Sequence, residues 1–203
     1  MKQVVELSSL SIYPIKSAGG ISVRQSQVKA RGLLHDRRWM VCDRSGEFLT
    51  QRALPKMALI QVEVGAALRL SMAGNADAAL ELPIAPQATT PIAVAVWGDA
   101  CLAWSMGETA AEWLSDALGV ACQLVYMPES THRPVDHGRL DAANSFADAY
   151  PFLLISEASL ADLNARLQQP VPMNRFRPNL VVKGCEPFAE DHWRRIGIGA
   201  IEF

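Results

Sequence analysis

The sequence predicts an α+β fold that consists mainly of β-strands, with barrel-like sheets and two or three helices. Most apolar runs are short and are separated by glycine, proline or polar residues, which is typical of strands. Only residues 109–118 and the segment after Ser156 repeat apolar side chains at the spacing of a helix. No internal repeat or low-complexity tract interrupts this pattern.

The first hundred residues predict strands, most of them in hairpins. An apolar run at residues 7–13 ends at Pro14, and residues 74–88 have too little pattern to predict more than a surface loop. The other expected strands are residues 21–30 and three pairs, namely 38–43 with 47–52, 57–64 with 68–72, and 92–97 with 101–104.

The second half predicts both helices. Residues 109–118 form the first, with a capping box from Thr109 and Glu112 and a stop at Gly119. Ser156 caps the second, whose inner face carries Leu160, Leu163 and Leu167. Strands are expected at residues 123–127, 152–155, 180–183 and 196–203, and residues 128–148 read as a long polar loop. A boundary after the first helix predicts domains of residues 1–120 and 121–203.

Composition excludes several classes of protein. The chain has 203 residues, 50% hydrophobic and 20% charged, with a formal net charge of −2. A slightly acidic chain is not expected to bind nucleic acid or an anionic membrane. No apolar run has membrane-spanning length and residues 1–10 lack a signal-peptide core, so we expect a cytoplasmic protein.

The cysteines and other reactive residues give no catalytic or metal pattern. Cys42, Cys101, Cys122 and Cys185 contain no C-x-x-C pair and predict free, buried thiols. The histidines lack metal-ligand spacing, and the sequence has neither a G-x-S-x-G elbow nor a G-x-G-x-x-G loop. We therefore predict no catalytic residue and no metal ligand within the chain.

Two turns in the first domain offer groups that bind anions. Lys16 and Ser17 follow a strand and precede two glycines, so an ammonium, a hydroxyl and backbone amides can meet at a phosphate. A solvated Lys-Ser turn is the simpler interpretation. Asp36 and Arg37 join two strands, and either Asp36 orients Arg37 toward an anion or the two form a structural ion pair.

A third cationic segment lies at residues 174–179, NRFRPN. In an extended segment Arg175 and Arg177 would share one face and would repel each other unless an anion or carboxylates lie between them. Glu190 and Asp191 could neutralise them. We favour an anionic ligand for Arg177 and, less strongly, for Arg175.

Five segments taken together resemble one family. They are YPIKS at 13–17, GLLHDRRWMVCD at 32–43, FLTQR at 48–52, FADAYPFLLISEASLADLN at 146–164 and NRFRPNLVVKGCEPFAEDHW at 174–193. Their order and content resemble proteins in which an N-terminal β-barrel MOSC domain precedes a MOSC domain, a group that includes the amidoxime-reducing components. The resemblance implies an N-terminal barrel-like domain followed by an incomplete MOSC barrel.

The resemblance also implies a cofactor and its contacts. The family binds the molybdenum cofactor, a molybdopterin with a terminal phosphate. By motif position, Lys16, Ser17 and Arg37 would contact the pterin or its phosphate from the first domain. Arg177 and Asn179 would do so from the second. The segment 148–150 matches a family segment that lines the site, and there Asp148 and Tyr150 are the residues that transfer.

One family feature is not found. A C-x-R-C-type motif, whose cysteine ligates molybdenum, would follow the strand that ends at Phe203, and Cys185 does not occupy that motif. We therefore expect this chain to hold the pterin and to be inactive alone.

The residues and the resemblance together leave three candidate functions. The first, for the full-length protein, is a reductase of N-hydroxylated small molecules such as amidoximes and hydroxylamines, which receives electrons from a separate ferredoxin- or flavin-type reductase. The second is a non-redox or sulfur-carrier module that holds a pterin or pyridoxal phosphate, the latter at Lys16. The third is a non-catalytic domain with structural arginines.

Overall fold

The computed structural model describes residues 5–87, 89–135 and 143–203. Within them the fold is mainly β with two α-helices, α1 (Glu108–Leu118) and α2 (Glu157–Arg166), which confirms the predicted class. Three short 3-10 helices lie at Pro55–Leu59, Met173–Arg175 and Ala189–His192. The strands are β1 (Glu6–Ile12), β2 (Ile21–Ser22), β3 (Val28–Lys29), β4 (Gly32–Leu33), β5 (Trp39–Cys42), β6 (Ile60–Val64), β7 (Leu68–Met72), β8 (Asn75–Leu82), β9 (Pro91–Val96), β10 (Asp99–Ser105), β11 (Gln123–Tyr126), β12 (Leu154–Ser156), β13 (Leu180–Lys183), β14 (Gly197–Ile198) and β15 (Ile201–Glu202).

The described residues fall into two compact units. The larger unit comprises the described parts of residues 12–21 and 27–151, and the smaller unit those of residues 1–11, 22–26 and 152–203. The smaller unit therefore combines both ends of the described chain.

The larger unit is built on three sheets. Strands β5, β11, β10 and β9 form one, β6, β7 and β8 a second, and the short β3 and β4 a third. Successive side chains of β5 point to opposite faces, so Val41 joins one apolar cluster with Leu124, whereas Met40 joins another with Phe146. All four side chains are fully buried. Burial on both faces makes β5 a rigid support for the residues around it.

The smaller unit has a sheet with the order β12, β13, β1, β2. Strand β13 runs parallel to β12 and antiparallel to β1, and α2 forms the crossover between the two parallel strands. Ser156 caps α2 as predicted, because its hydroxyl oxygen accepts a 3.0 Å hydrogen bond from the Ser159 amide. The Glu190 carboxylate accepts bonds from the Ser156 amide at 2.8 Å and the Ser159 hydroxyl at 2.6 Å.

The prediction of a surface loop at residues 74–88 is wrong for the first half of that segment, which forms strand β8. This strand pairs with β7, placing Leu80 opposite Leu70 and Glu81 opposite Arg69. The alanines of the segment carry little strand propensity, and pairing with an established neighbour outweighs that local weakness.

Three other expected strands differ from the structure. Residues 21–30 contain two short strands, and residues 47–52 contribute only isolated bridges at Glu47 and Phe48. Residues 196–203 form a tight hairpin of β14 and β15, in which Gly199 has a φ of 60°. The remaining predicted strands are present with ends shifted by a few residues.

Helix α1 begins without the predicted capping box. Its N-cap is Gly107, no side chain caps it, and Thr109 already lies inside the helix. Gly119 ends the helix in the left-handed conformation, as predicted. In α2, Leu167 is 39% exposed and lies beyond the last helical residue, so its assignment to the inner face is wrong.

The long loop predicted at residues 128–148 contains no regular element in its described parts. Residues 136–142 of that loop, including His137 and Arg139, lie outside the described residues. Among the described helices, none is long and apolar enough to cross a membrane.

Candidate functional site

Lys16 lies at the centre of the candidate site in the larger unit. An isolated bridge between Ile15 and Trp39 holds the segment beside β5, and the Lys16 amide donates a 2.9 Å bond to the Trp39 carbonyl. The residue is only 5% exposed. Its ammonium donates to the Phe146 carbonyl at 2.9 Å and pairs with the Asp148 carboxylate. Lys16 is therefore a buried cation, and the solvated turn considered from sequence is wrong for it.

The charge of Lys16 is set by two opposing effects. Burial lowers the pKa of Lys16, while the Asp148 carboxylate raises it, and Arg133 and Arg37 lower it further. The net pKa lies below the ordinary lysine value. Because it is buried, the ammonium has lost much of its hydration and gains from an additional anion nearby.

Asp148 is the acidic partner at this site. Its side chain is 63% exposed, and one carboxylate oxygen also accepts a 2.9 Å bond from the Trp97 indole Nε1. Partial burial alone raises the pKa of Asp148, but Lys16 and the hydrogen bonds from Lys16 and Trp97 outweigh it. The net pKa therefore lies below the ordinary aspartate value.

Asp36 and Arg37 form an ion pair, an arrangement that the sequence suggested but could not establish. Asp36 is 1% exposed, and its carboxylate accepts from the Tyr13 amide at 2.8 Å and from the Arg37 guanidinium at 2.6 Å. The guanidinium lies over the Tyr13 ring, 4.4 Å from its centroid. Asp36 thus orients Arg37, and the charge of Arg37 acts on both Lys16 and Asp148.

Three of the predicted site residues share an unusual backbone. Ser17, Arg37 and Arg177 have φ values of 66°, 48° and 58°, in the left-handed region that favours glycine. Such conformations in non-glycine residues cost on the order of 1–3 kcal/mol and cluster at functional sites. Their side chains were predictable from the sequence, but their backbone conformation was not.

Arg133 organises the loop that carries Asp148, a role that no local sequence pattern predicts. Arg133 is 3% exposed and donates to the carbonyls of Ser145 at 2.9 Å, Ala147 at 2.6 Å and Asp148 at 3.2 Å. Asp99 balances its charge at 2.9 Å. Arg133 thus binds three of the four backbone carbonyls at residues 145–148, and Lys16 binds the fourth.

Two aromatic residues beside the Lys16–Asp148 ion pair were also not predicted from the sequence. Phe48 and Trp97 contact each other edge to face, with centroids 4.9 Å apart, and the Lys16 ammonium lies 5.2 Å from the Phe48 centroid. A sequence signal did exist, since Trp97 precedes Gly98 in a hairpin turn where asparagine is the usual residue.

The structure thus brings four predicted residues together in the larger unit: Lys16, Ser17, Arg37 and Asp148. Tyr150 is 51% exposed and adds no hydrogen bond to this group within the described chain. Among the described residues, Lys16 finds partners for two of its three N–H donors, and the Ser17 hydroxyl has no hydrogen-bond partner. An ammonium, a guanidinium and a hydroxyl are groups that fit a phosphate.

Arg177 and Asn179 belong to the smaller unit. Met173–Arg175 form a 3-10 turn, and Arg177 lies in the left-handed region, so the expected extended segment with both arginines on one face is wrong. Glu190, considered as their neutraliser, accepts hydrogen bonds from Ser156 and Ser159.

Asn179 is 1% exposed and has a structural use. Its side-chain amide accepts from the Leu153 amide and donates to the Ser11 carbonyl, both at 3.2 Å. These bonds hold the start of β13 in place. Cofactor contacts from Arg177 and Asn179 stay predictions.

Two known family models match this chain. Residues 4–121 match the family model described as the MOSC N-terminal beta barrel domain, and residues 141–203 match the MOSC domain. The chain belongs to the MOSC family.

Its curated relatives carry two kinds of name. The chain is 39% identical to mitochondrial amidoxime-reducing component 1 of Mus musculus and 36% identical to that of Homo sapiens, in each case over 100% of this chain. It is 33% identical to the molybdenum cofactor sulfurase of Arabidopsis thaliana over 97% of this chain and 27% of that protein. The chain spans 62% and 63% of the length of the two amidoxime-reducing components.

Proposed function

We propose that this chain holds the molybdenum cofactor by its pterin phosphate. The observation that carries the proposal is the buried ammonium of Lys16, set beside Ser17 and the oriented guanidinium of Arg37. A buried, partly desolvated cation with an unused donor gains most from a doubly charged phosphate. The names of the relatives, which refer to this cofactor or to amidoxime reduction, support the same conclusion.

Each site residue of the larger unit would have its own role in binding the cofactor. Lys16 and Arg37 would hold the phosphate, Ser17 would donate its hydroxyl, and Asp148 would keep Lys16 in position. When bound, the cofactor supplies a redox-active metal, and the protein supplies binding, orientation and electrostatics.

We further propose that the full-length protein is a reductase of N-hydroxylated small molecules such as amidoximes and hydroxylamines. A separate ferredoxin- or flavin-type reductase would supply the electrons, and a cytoplasmic location stays a prediction. The similarity to the amidoxime-reducing components supports this finer proposal.

The test is reduction of benzamidoxime by the full-length protein purified with its bound cofactor, with a ferredoxin-type electron donor. We expect benzamidine to form at a rate proportional to the molybdenum content of each preparation. A preparation with full molybdenum and pterin content that forms no benzamidine would contradict the reductase and favour the non-redox module.

A pyridoxal phosphate site is the second candidate. The lowered pKa of buried Lys16 favours it, because a neutral amine is the form that makes an imine with an aldehyde. Borohydride reduction with pyridoxal phosphate should then attach the label at Lys16, and a peptide map without that label removes this candidate.

A further inference from the structure

The turn between β9 and β10 carries a residue that the turn itself disfavours. Val96 pairs with Asp99, so Trp97 and Gly98 alone make the connection, with φ values of 54° and 93°. Two-residue hairpin turns with positive φ at both positions strongly prefer Asn-Gly or Asp-Gly. A tryptophan at the first position is strained, which indicates that its side chain serves a purpose outside the turn.

The indole of Trp97 has a defined setting and a large free surface. Its Nε1 donates to Asp148 at 2.9 Å, its ring meets Phe48 edge to face, and the Arg52 guanidinium lies 5.4 Å from its centroid. Despite these contacts Trp97 is 51% exposed. A tryptophan kept only for packing would be expected to bury more of its ring.

Phe48 is held against β9 by the turn that precedes it. The Asp43 carboxylate accepts from the Ser45 amide at 2.8 Å and the Glu47 amide at 3.0 Å. Gly46, with a φ of 91°, passes so close to the Ala93 carbonyl that a β-carbon would collide with it. A bridge between Glu47 and Ala95 completes the attachment. The aromatic pair therefore rests on a fixed backbone.

Charge pairing distinguishes Arg52 from Lys16, Arg37 and Arg133. Lys16 pairs with Asp148, Arg37 with Asp36, and Arg133 with Asp99. Arg52 is exposed and has no carboxylate partner among residues 5–87, 89–135 and 143–203. An aromatic face thus lies beside one uncompensated positive charge.

We propose that Phe48, Arg52 and Trp97 form a subsite for a flat aromatic ring that carries a carboxylate. The ring stacks on the exposed indole, and the carboxylate pairs with the Arg52 guanidinium. This subsite is separate from the phosphate contacts proposed for Lys16, Ser17 and Arg37, and it goes beyond the cofactor function. It predicts that the protein binds small aromatic acids whether or not it holds a cofactor.

Three probes separate the features of the ligand. 2-Naphthoate is flat and anionic, 2-naphthalenemethanol is flat and neutral, and cyclohexanecarboxylate is anionic without a flat ring. Titrations are followed by NMR on the indole Nε1–H signal of Trp97, which is identified among the five tryptophans by its absence in Trp97→Asn. We expect 2-naphthoate to shift this signal and to bind about tenfold more tightly than either other probe.

Trp97→Asn is the decisive variant, because asparagine suits this turn and keeps the hairpin folded. It should weaken 2-naphthoate binding, measured by calorimetry, about tenfold, and Arg52→Gln should weaken it severalfold. Arg44→Gln removes an exposed arginine from the neighbouring turn and should leave the affinity unchanged. Unchanged affinity in Trp97→Asn, or equal binding of all three probes, would overturn the proposal.

A last variant distinguishes this subsite from the cofactor site. Arg37→Lys keeps the charge opposite Asp36 but loses the fork that suits phosphate. It should retain 2-naphthoate binding while pterin content falls. Loss of 2-naphthoate binding in Arg37→Lys would show that the subsites are not separate and would overturn this inference, whereas unchanged pterin content would count against the cofactor proposal alone.

Discussion

At the scale of single residues, burial decides which charged and reactive groups matter. Lys16 is a buried ammonium whose carboxylate partner, Asp148, is exposed to solvent. Its charge is therefore only partly compensated, and a further anion would stabilise it. Asp36 is the reverse, a buried carboxylate whose partner Arg37 is held in one orientation. The sequence identified both residues by type, but only the structure separates their roles.

The same principle predicts the reactivity of Cys42. Burial raises the pKa of Cys42 to about 12, with Asp43 and Cys122 adding to the shift. The thiol therefore stays protonated at pH 8 and should not react with DTNB in the native protein. Cys42→Ala should leave the native thiol count unchanged and lower the denatured count from four to three. A lower native count in this variant would contradict the buried assignment.

At the scale of elements, the two helix starts provide a matched comparison. Ser156 caps α2 through the Ser159 amide, whereas Thr109 lies inside α1 and caps nothing. Ser156→Ala should lower the free energy of unfolding by about 1 kcal/mol, and Thr109→Ala should leave it nearly unchanged. Urea denaturation measures both. Equal losses in the two variants would mean that Thr109 does cap α1.

The sequence predicted elements whose signal is local. Gly119 at the end of α1, the Ser156 cap and the β9–β10 hairpin all depend on residues within a few positions of each other. Strand β8 was missed because its pairing with β7, not its alanines, makes it a strand. Arg133 was missed because its role depends on carbonyls 12 to 15 residues away in the chain.

At the scale of the whole molecule, a strand from the N-terminal part of the chain pairs with one from the C-terminal part within the smaller unit. Strand β1 pairs with β13 from Glu6 opposite Lys183 to Leu10 opposite Leu180. A fragment of residues 121–203, the predicted second domain, would lack β1 and expose the edge of a buried strand. We expect this fragment to give a poorly dispersed NMR spectrum, and adding residues 1–26 through a flexible linker to restore dispersion. A well-dispersed spectrum for residues 121–203 alone would instead support the predicted boundary.

The central claim is that Lys16 binds the phosphate of a pterin cofactor, and the pterin content of the purified protein tests it most directly. Lys16→Met removes the ammonium, fills the same space and leaves Asp148 exposed to water, so the fold should persist. Lys56→Met removes an exposed lysine from the same unit as a control. We predict that pterin, oxidised and measured by fluorescence, falls at least about tenfold in Lys16→Met and is unchanged in Lys56→Met. Equal pterin content in Lys16→Met and the unmodified protein would contradict the account.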